Sequence, residues 1–293
     1  MATLQIPYNL RQAAGEDGGP ERRDWMADLP RIVDELAARW SLRLGDPYEP
    51  GGQCSWVAPA QDAGGKDFAL KVGWRHSEST HEADAFRVWD GAGAVRVYDE
   101  YTLAQTSALL LERCDPGAAL AASTPETEQD LVVAGLLTRL WRELPEPHGF
   151  RPLQEMCDEW AVGFESRLLG GGTIIDRGLG RAAMALYREL PSSASRNVLL
   201  CTDLHAENIL AARREPWLVI DPKPYVGDPC YDVLQHMLNC KERLTTEPAA
   251  LAQRLADLLD LDAARVKLWL FARCTQESID QPWLYDVATR IAP

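Results

Sequence analysis

Around residues 115–117, "DPG", the chain changes character, and that change limits its possible folds more than any other feature. Upstream lie short β-like runs, "SLRLGDPYEP", "SWVAPAQ" and "DFALKVGW", separated by Gly-Gly and Ala-Gly-Gly turn signals, followed by "AVRVYDEY" and "SALLLERC". Such runs, bounded by glycine, read as an antiparallel meander and two further strands. Two helical patterns accompany them. "DWMADLPRIVDELAARW" carries an apolar stripe of Trp25, Leu29, Ile32, Val33, Leu36 and Trp40, while "STHEADAFRVWDG" has Ser79 and Glu82 at capping-box spacing and Gly91 at its end. Downstream the three- and four-residue spacing takes over. "PETEQDLVVAGLLTRLWREL" places Val133, Leu136, Leu137, Leu140, Trp141 and Leu144 on one stripe, with Pro125 just inside the start. Helical patterns continue to residue 293, interrupted only by a strand pair, "NVLLCTDL" and "PWLVIDP". The expected class is α+β, with a small antiparallel-sheet lobe over residues 1–113 and a larger helical lobe over residues 114–293.

Charge narrows the partners. With 44 acidic against 30 basic side chains the net charge is −14, which disfavours nucleic acid and anionic membranes and favours a small cationic molecule. The seven cysteines are dispersed, without the paired spacing of a zinc site or a disulfide framework, as suits a reducing cytosol. No apolar run approaches the roughly 18 residues of a membrane span, and "MATLQIPYNLRQ" lacks the apolar core of a signal peptide. A cytoplasmic protein with no obligate protein partner is expected. There is no internal repeat, and "AAGEDGGPE" is the one stretch expected to be disordered.

The chemistry concentrates at "LLCTDLHAENIL", residues 199–210, and "LVIDP", which ends in Asp221 and Pro222. Asp203 and Asn208 stand five residues apart behind an apolar strand, and Asp221 ends a second strand thirteen residues later. Magnesium takes oxygen ligands and keeps several waters, so one carboxylate, one amide oxygen and nucleotide phosphates suit it. Phosphoryl transfer needs a separate carboxylate to orient the accepting hydroxyl and take its proton. Asp203 suits that task while Asn208 and Asp221 hold metal. Each residue alone also reads as a turn or helix cap; three at this spacing behind apolar strands favour chemistry. His205 has no base or metal partner in sequence reach, and Glu207 reads as solvated.

"TDLHAENIL" with "LVIDP" resembles the catalytic and metal-binding segments of the aminoglycoside phosphotransferases, relatives of the protein kinases. "VIDPKPYVGDPCYD" resembles most the streptomycin 6-kinase and hydroxyurea kinase branch. The resemblance spans about residues 40–240 and implies a protein-kinase-like bilobal fold, with Asp203 as catalytic base and Asn208 and Asp221 as magnesium ligands. The family usually carries His-Gly before the catalytic Asp, where this chain has Cys201-Thr202. The implied activity is transfer of the ATP γ-phosphate to a hydroxyl of a small cationic antibiotic such as streptomycin, or of a hydroxyurea-type compound. Nothing in the sequence separates ATP from GTP. A metabolic kinase acting on choline, a sugar or an amino alcohol, and a catalytically inactive nucleotide-binding module, are the alternatives.

That reading assigns parts to the small lobe. Lys71 in "FALKV" is expected to meet the donor's phosphates, held by Glu82, with Glu78 as the competing partner. The loop "PGGQCS", containing Gly51, Gly52 and Ser55, is either a phosphate-draping loop or a plain hairpin. "LLLERCDPG" resembles the hinge at which backbone groups of Glu112 and Cys114 would hold an adenine, or is simply a linker. "GGKDF" lacks the hydroxyl residue of a P-loop, and neither His-Glu-x-x-His nor Gly-x-Ser-x-Gly occurs, which argues against zinc and serine hydrolases. For the acceptor, Glu159, Glu277 and Asp280 are candidate partners of amines or guanidines, with Trp160 or Trp283 adding cation–π contact. Asp228 reads as an N-cap before Pro229. Asp232, on the same helix, either caps or touches substrate.

Overall fold

The computed structural model describes residues 4–15, 18–170 and 175–293, apart from the side chain of Glu78. The 13–21 stretch expected to be disordered lies partly outside the described residues, at positions 16 and 17. The chain forms two compact units, Met1–Gly117 and Ala118–Pro293.

The first unit opens with helices α1 (Tyr8–Ala13) and α2 (Gly19–Arg39). Five strands follow: β1 (Arg43–Leu44), β2 (Ser55–Gln61), β3 (Asp67–Trp74), β4 (Val97–Leu103) and β5 (Thr106–Glu112), with helix α3 (Glu82–Trp89) between β3 and β4. The sheet order is β1-β2-β3-β5-β4, antiparallel throughout. Strand alternation decides which side chains meet which helix. Trp56, Ala58 and Ala60 of β2, Phe68, Leu70 and Val72 of β3, and Ala108 and Leu110 of β5 share one core with the α2 stripe Trp25, Leu29, Ile32, Val33 and Leu36. Lys71, between Leu70 and Val72, therefore emerges on the opposite face, where it pairs with Glu82 of α3.

The cap of α3 differs from the expected one. The helix begins at Glu82 with His81 as its left-handed N-cap, whereas Ser79 caps the preceding single turn at Ser77–Ser79 by bonding to His76. Glu82 is thereby released from a capping role and turned toward Lys71.

The second unit contains α4 (Leu120–Ser123), α5 (Glu126–Leu140), α6 (Leu153–Leu169) and α7 (Arg177–Glu189), then α8 (Pro229–Asp232) and α9 (Leu234–Asn239). It ends with α10 (Lys241–Thr246), α11 (Pro248–Leu259), α12 (Ala263–Glu277) and α13 (Trp283–Ile291). Pro125 stands one residue before α5, as its N-cap, and Trp141 ends that helix. The two interrupting strands do not pair with each other. β6 (Val198–Leu200) pairs with β9 (Tyr225–Gly227), and β7 (Ile209–Ala211) pairs with β8 (Trp217–Val219). Three-residue partners are too short to show a period in the sequence, so each strand's true mate was hidden. The two ladders bring residues 201–208 and 220–224 together as loops.

Candidate active site

Strand β6 is wholly buried and is followed by the equally buried Cys201, after which the chain must turn sharply. The turn is made at Thr202, whose φ is 52°. Left-handed backbone costs a β-branched residue roughly 1–2 kcal/mol, so the surroundings must hold it. Asp232 does so: its carboxylate accepts the N–H of Cys201 at 3.1 Å and of Thr202 at 2.6 Å, and the Trp141 indole N–H at 2.9 Å. The Thr202 hydroxyl donates to the Lys223 carbonyl. The Cys201 carbonyl in turn accepts from Asp203 at 2.8 Å and from Lys223 at 2.9 Å, fastening the second loop to the first. Burial pushes the Cys201 thiol well up, so it stays protonated and inert.

On this brace stand the candidate residues. The Asp203 carboxylate pairs with the Lys223 ammonium at 2.9 Å, the two side chains 15% and 34% exposed. Asn208 Nδ2 donates to the Asp203 carbonyl at 3.0 Å, which fixes the amide so that Oδ1 is the atom left for a metal. The Ile220 N–H donates to the Asn208 carbonyl at 2.9 Å, so Asp221, with φ 52°, follows immediately after a bond to Asn208. A carboxylate and an amide oxygen, both partly exposed, are a donor set that fits magnesium. From the sequence, Lys223 could pair with Asp221 or with a phosphate; the structure sets its ammonium against Asp203. Burial lowers the His205 imidazole below its ordinary value against the opposing pull of Asp203, Glu207 and Asp221. His205 caps the turn Ala206–Asn208, and Glu207 is exposed.

In the sheet unit, Lys71 Nζ lies 2.7 Å from Glu82 Oε1, with side chains only 11% and 8% exposed. Glu82 is thus the partner; the side chain of the competing Glu78 lies outside the described residues. Gly51 and Gly52 lie in the loop before β2, and Ser55 opens β2 opposite Gly73. The Glu112 N–H is committed to the Arg96 carbonyl at 2.8 Å, and Cys114 is partly exposed just beyond β5.

The acceptor candidates separate. Asp232 is 1% exposed and occupied by three donors, so it braces the loop after β6 and is not presented to a substrate. Asp280 is exposed but held by Arg167 through two 2.7 Å bonds. Glu277 pairs with Arg273 at 2.8 Å, and Glu159 is exposed. Trp160 and Trp283 already carry cations, Arg273 at 4.1 Å and Lys241 at 4.9 Å from their ring centroids. Arg273, which also donates to the Tyr231 hydroxyl at 2.9 Å, was missed; its i,i+4 spacing to Glu277 was the available signal. Asp228 caps α8 as expected and additionally accepts from Arg265 and Trp269 of α12, at 2.6 and 2.7 Å.

The aminoglycoside/hydroxyurea antibiotic resistance kinase family matches residues 39–281. The streptomycin 6-kinase of Streptomyces griseus is 35% identical over 99% of this chain and 94% of its own. The hydroxyurea phosphotransferase of Kitasatospora aureofaciens is 34% identical over 95% of this chain and 80% of its own. A choline kinase from Streptococcus pneumoniae shares the fold, with a TM-score of 0.58 at 14% identity, covering 90% of this chain and 97% of that one. With the expected loop pattern in place and similarity over nearly the whole length, the chain belongs to the family of aminoglycoside/hydroxyurea antibiotic resistance kinases.

Proposed function

We propose that this kinase transfers the γ-phosphate of ATP to a hydroxyl of an aminoglycoside of the streptomycin type and so inactivates it. The observation that carries the reading is the braced loop, in which Asp203, Asn208 and Asp221 stand together on two short ladders with Lys223 against Asp203. Asp203 would orient the acceptor hydroxyl and take its proton as the oxygen bonds to the γ-phosphorus and the bond to the leaving ADP oxygen breaks. Lys223 fixes the direction of that carboxylate. Asn208 and Asp221 would hold magnesium, which supplies neutralisation of the phosphate charge when bound. In the sheet unit, Lys71, oriented by Glu82, would contact the phosphates, the loop with Gly51 and Gly52 would cover them, and Ser55 would stand at its edge. Glu112 and Cys114 would offer backbone groups to the adenine.

The relatives named for streptomycin and hydroxyurea support an acceptor of this class, and the net charge of −14 favours a cationic one. Glu159 and Glu277 are the carboxylates that would meet its guanidines. A phosphate's negative charge would spoil the antibiotic's fit to an anionic target. The test is mass-spectrometric detection of phosphate on streptomycin, other aminoglycosides, hydroxyurea and choline, each incubated with ATP, magnesium and wild type or Asp203→Asn. A product on streptomycin made by wild type alone is the expected result. Product on choline alone, or equal product from the variant, would overturn the acceptor or the base assignment respectively.

A further inference from the structure

The loop before β2 does not shape itself; the amino-terminal segment holds it. Asn9 donates its backbone N–H to the Pro50 carbonyl at 2.9 Å and its side-chain amide to the Gly51 carbonyl at 2.8 Å. The Arg22 guanidinium donates to the Gln53 carbonyl and lies 3.6 Å from Cys54 Sγ. At the start of the loop, Glu49 accepts from the Tyr8 N–H at 3.1 Å and from the Gln5 amide at 3.2 Å. The strap is itself fastened to the core. Leu10 is fully buried in the α2–sheet core, the Trp56 indole donates to the Gln5 carbonyl at 3.0 Å, and Arg22 lies 5.3 Å from the Trp74 ring centroid.

The consequence follows from peptide planarity. In a trans peptide unit the C=O and the following N–H point in opposite directions. Pro50–Gly51, Gly51–Gly52 and Gln53–Cys54 are trans units, because among the described residues only Glu49-Pro50, Asp115-Pro116 and Glu146-Pro147 are cis. Fixing the carbonyls of Pro50, Gly51 and Gln53 against the strap therefore aims the N–H groups of Gly51, Gly52 and Cys54 away from it. Those three N–H groups have no protein acceptor among the described residues, and all three residues are at least partly exposed. Successive outward N–H groups form an anion-binding concavity. Gly51 is suited twice over: its φ is 73°, and a Cβ there would lie 2.5 Å from Pro7 Cβ.

We infer that the segment Gln5–Asn9 together with Arg22 is a strap that presents the backbone N–H groups of Gly51, Gly52 and Cys54 to the donor's phosphates, with Asn9 and Arg22 as positioning residues for nucleotide binding. This rests on the reading of that loop as the phosphate loop. A role confined to stability would weaken binding of adenosine and ATP alike or neither. A strap acts on the phosphate part alone.

The experiment compares adenosine, ADP and ATP affinities by calorimetry for wild type, Asn9→Asp and Arg22→Lys, with thermal unfolding of each. Asn9→Asp keeps the shape but sets an acceptor against the Gly51 carbonyl, and Arg22→Lys keeps the charge but loses the planar fork. Losing one such hydrogen bond should weaken ATP and ADP binding about five- to tenfold, with adenosine affinity unchanged. Folded variants that keep the wild-type ratio of ATP to adenosine affinity overturn the strap. Should Asn9→Asp fail to fold, Arg22→Lys decides by the same ratio. Wild type that binds ATP no better than adenosine would overturn the phosphate-loop reading itself, and the strap with it.

Discussion

Asp203 and Asp130 both lie in the helical unit beside basic side chains, and their surroundings set them opposite tasks. Asp203 has one ammonium partner, Lys223 at 2.9 Å, and its carboxylate keeps contact with solvent. Asp130, on α5, is fully buried and collects His236 at 2.9 Å, both nitrogens of Arg243 at 3.0 and 2.8 Å, and Arg254 at 2.6 Å. Burial pushes the Asp130 carboxyl up, but the bonds from His236, Arg243 and Arg254 outweigh it and hold the group well below the usual carboxylate range. Proton transfer requires an accessible oxygen, and Asp130 has every oxygen engaged. It ties α5 to α9, α10 and α11. The same side chain is thus left open to chemistry where donors are few and the surface is near, and is committed to architecture where donors are many.

The largest effect expected from breaking this contrast is at Asp203. Asp203→Asn should lower turnover by about two to four orders of magnitude, the range for a lost general base, while the midpoint of thermal unfolding moves little. Steady-state kinetics with a parallel melt checks both halves. Turnover within tenfold of wild type would remove Asp203 from the chemistry.

Asp130→Asn should do the reverse. It leaves the guanidinium of Arg243 without its buried counter-charge, and breaking such a pair costs about 3–5 kcal/mol. Chemical denaturation should show that loss, and the folded fraction at low temperature should keep its turnover within about twofold. A variant as stable as wild type would mean the arginines find solvent without penalty.

The contrast also explains what was legible in the sequence. Asp203, Asn208 and Asp221 were visible because their spacing sits behind apolar strands, and Lys71 because its strand alternates cleanly. The stripe of α2 was equally plain. Asp232 and Asp130 carried no such signal: the donors that meet them come from 30 to 124 positions away, and only the folded chain brings them together. The misplacement of the α3 cap has a local cause. Ser79 does cap, but its partner is His76, three residues upstream, so the helix starts two residues later than Ser79 suggests.

Asp232 lies between the two extremes, buried like Asp130 yet bonded to the loop that carries Asp203. Burial pushes its carboxyl up to about 6, only partly offset by the bonds from Trp141, Cys201 and Thr202. A raised acid pKa means that, between about pH 4 and 6, the folded protein holds a proton the unfolded chain has released. Its contribution is full below about pH 4 and is lost as pH rises through 6, a change on the order of 3 kcal/mol. Asp130 has the opposite sign, contributing above the unfolded carboxylate pKa and losing that contribution as pH falls further. Asp232→Asn removes the titration, so the difference in stability between wild type and variant should change across pH 4 to 6, as measured by denaturation at each pH. A constant difference across that window would show that Asp232 titrates at its ordinary value when folded.

The smallest effect belongs to Asp280, whose two bonds to Arg167 look as strong on paper as those of Asp130. Both side chains are about half exposed, 59% and 49%, and their shifts, Asp280 lowered and Arg167 raised, arise from each other's hydrogen bonds at the surface. Water screens such a pair, and exposed ion pairs typically contribute only about 0.2–1 kcal/mol. Asp280→Asn should therefore shift stability by less than about 1 kcal/mol, and less still in high salt. Because Arg167 occupies the carboxylate, KM for streptomycin should stay within about twofold, less than the roughly tenfold that loss of a charged contact worth about 1.4 kcal/mol would produce. A tenfold rise in KM with unchanged stability would show that the acceptor displaces Arg167, and would restore Asp280 to the binding surface. Short distances alone do not separate Asp280 from Asp130; burial does, because it removes the water that would otherwise compete for every one of those bonds.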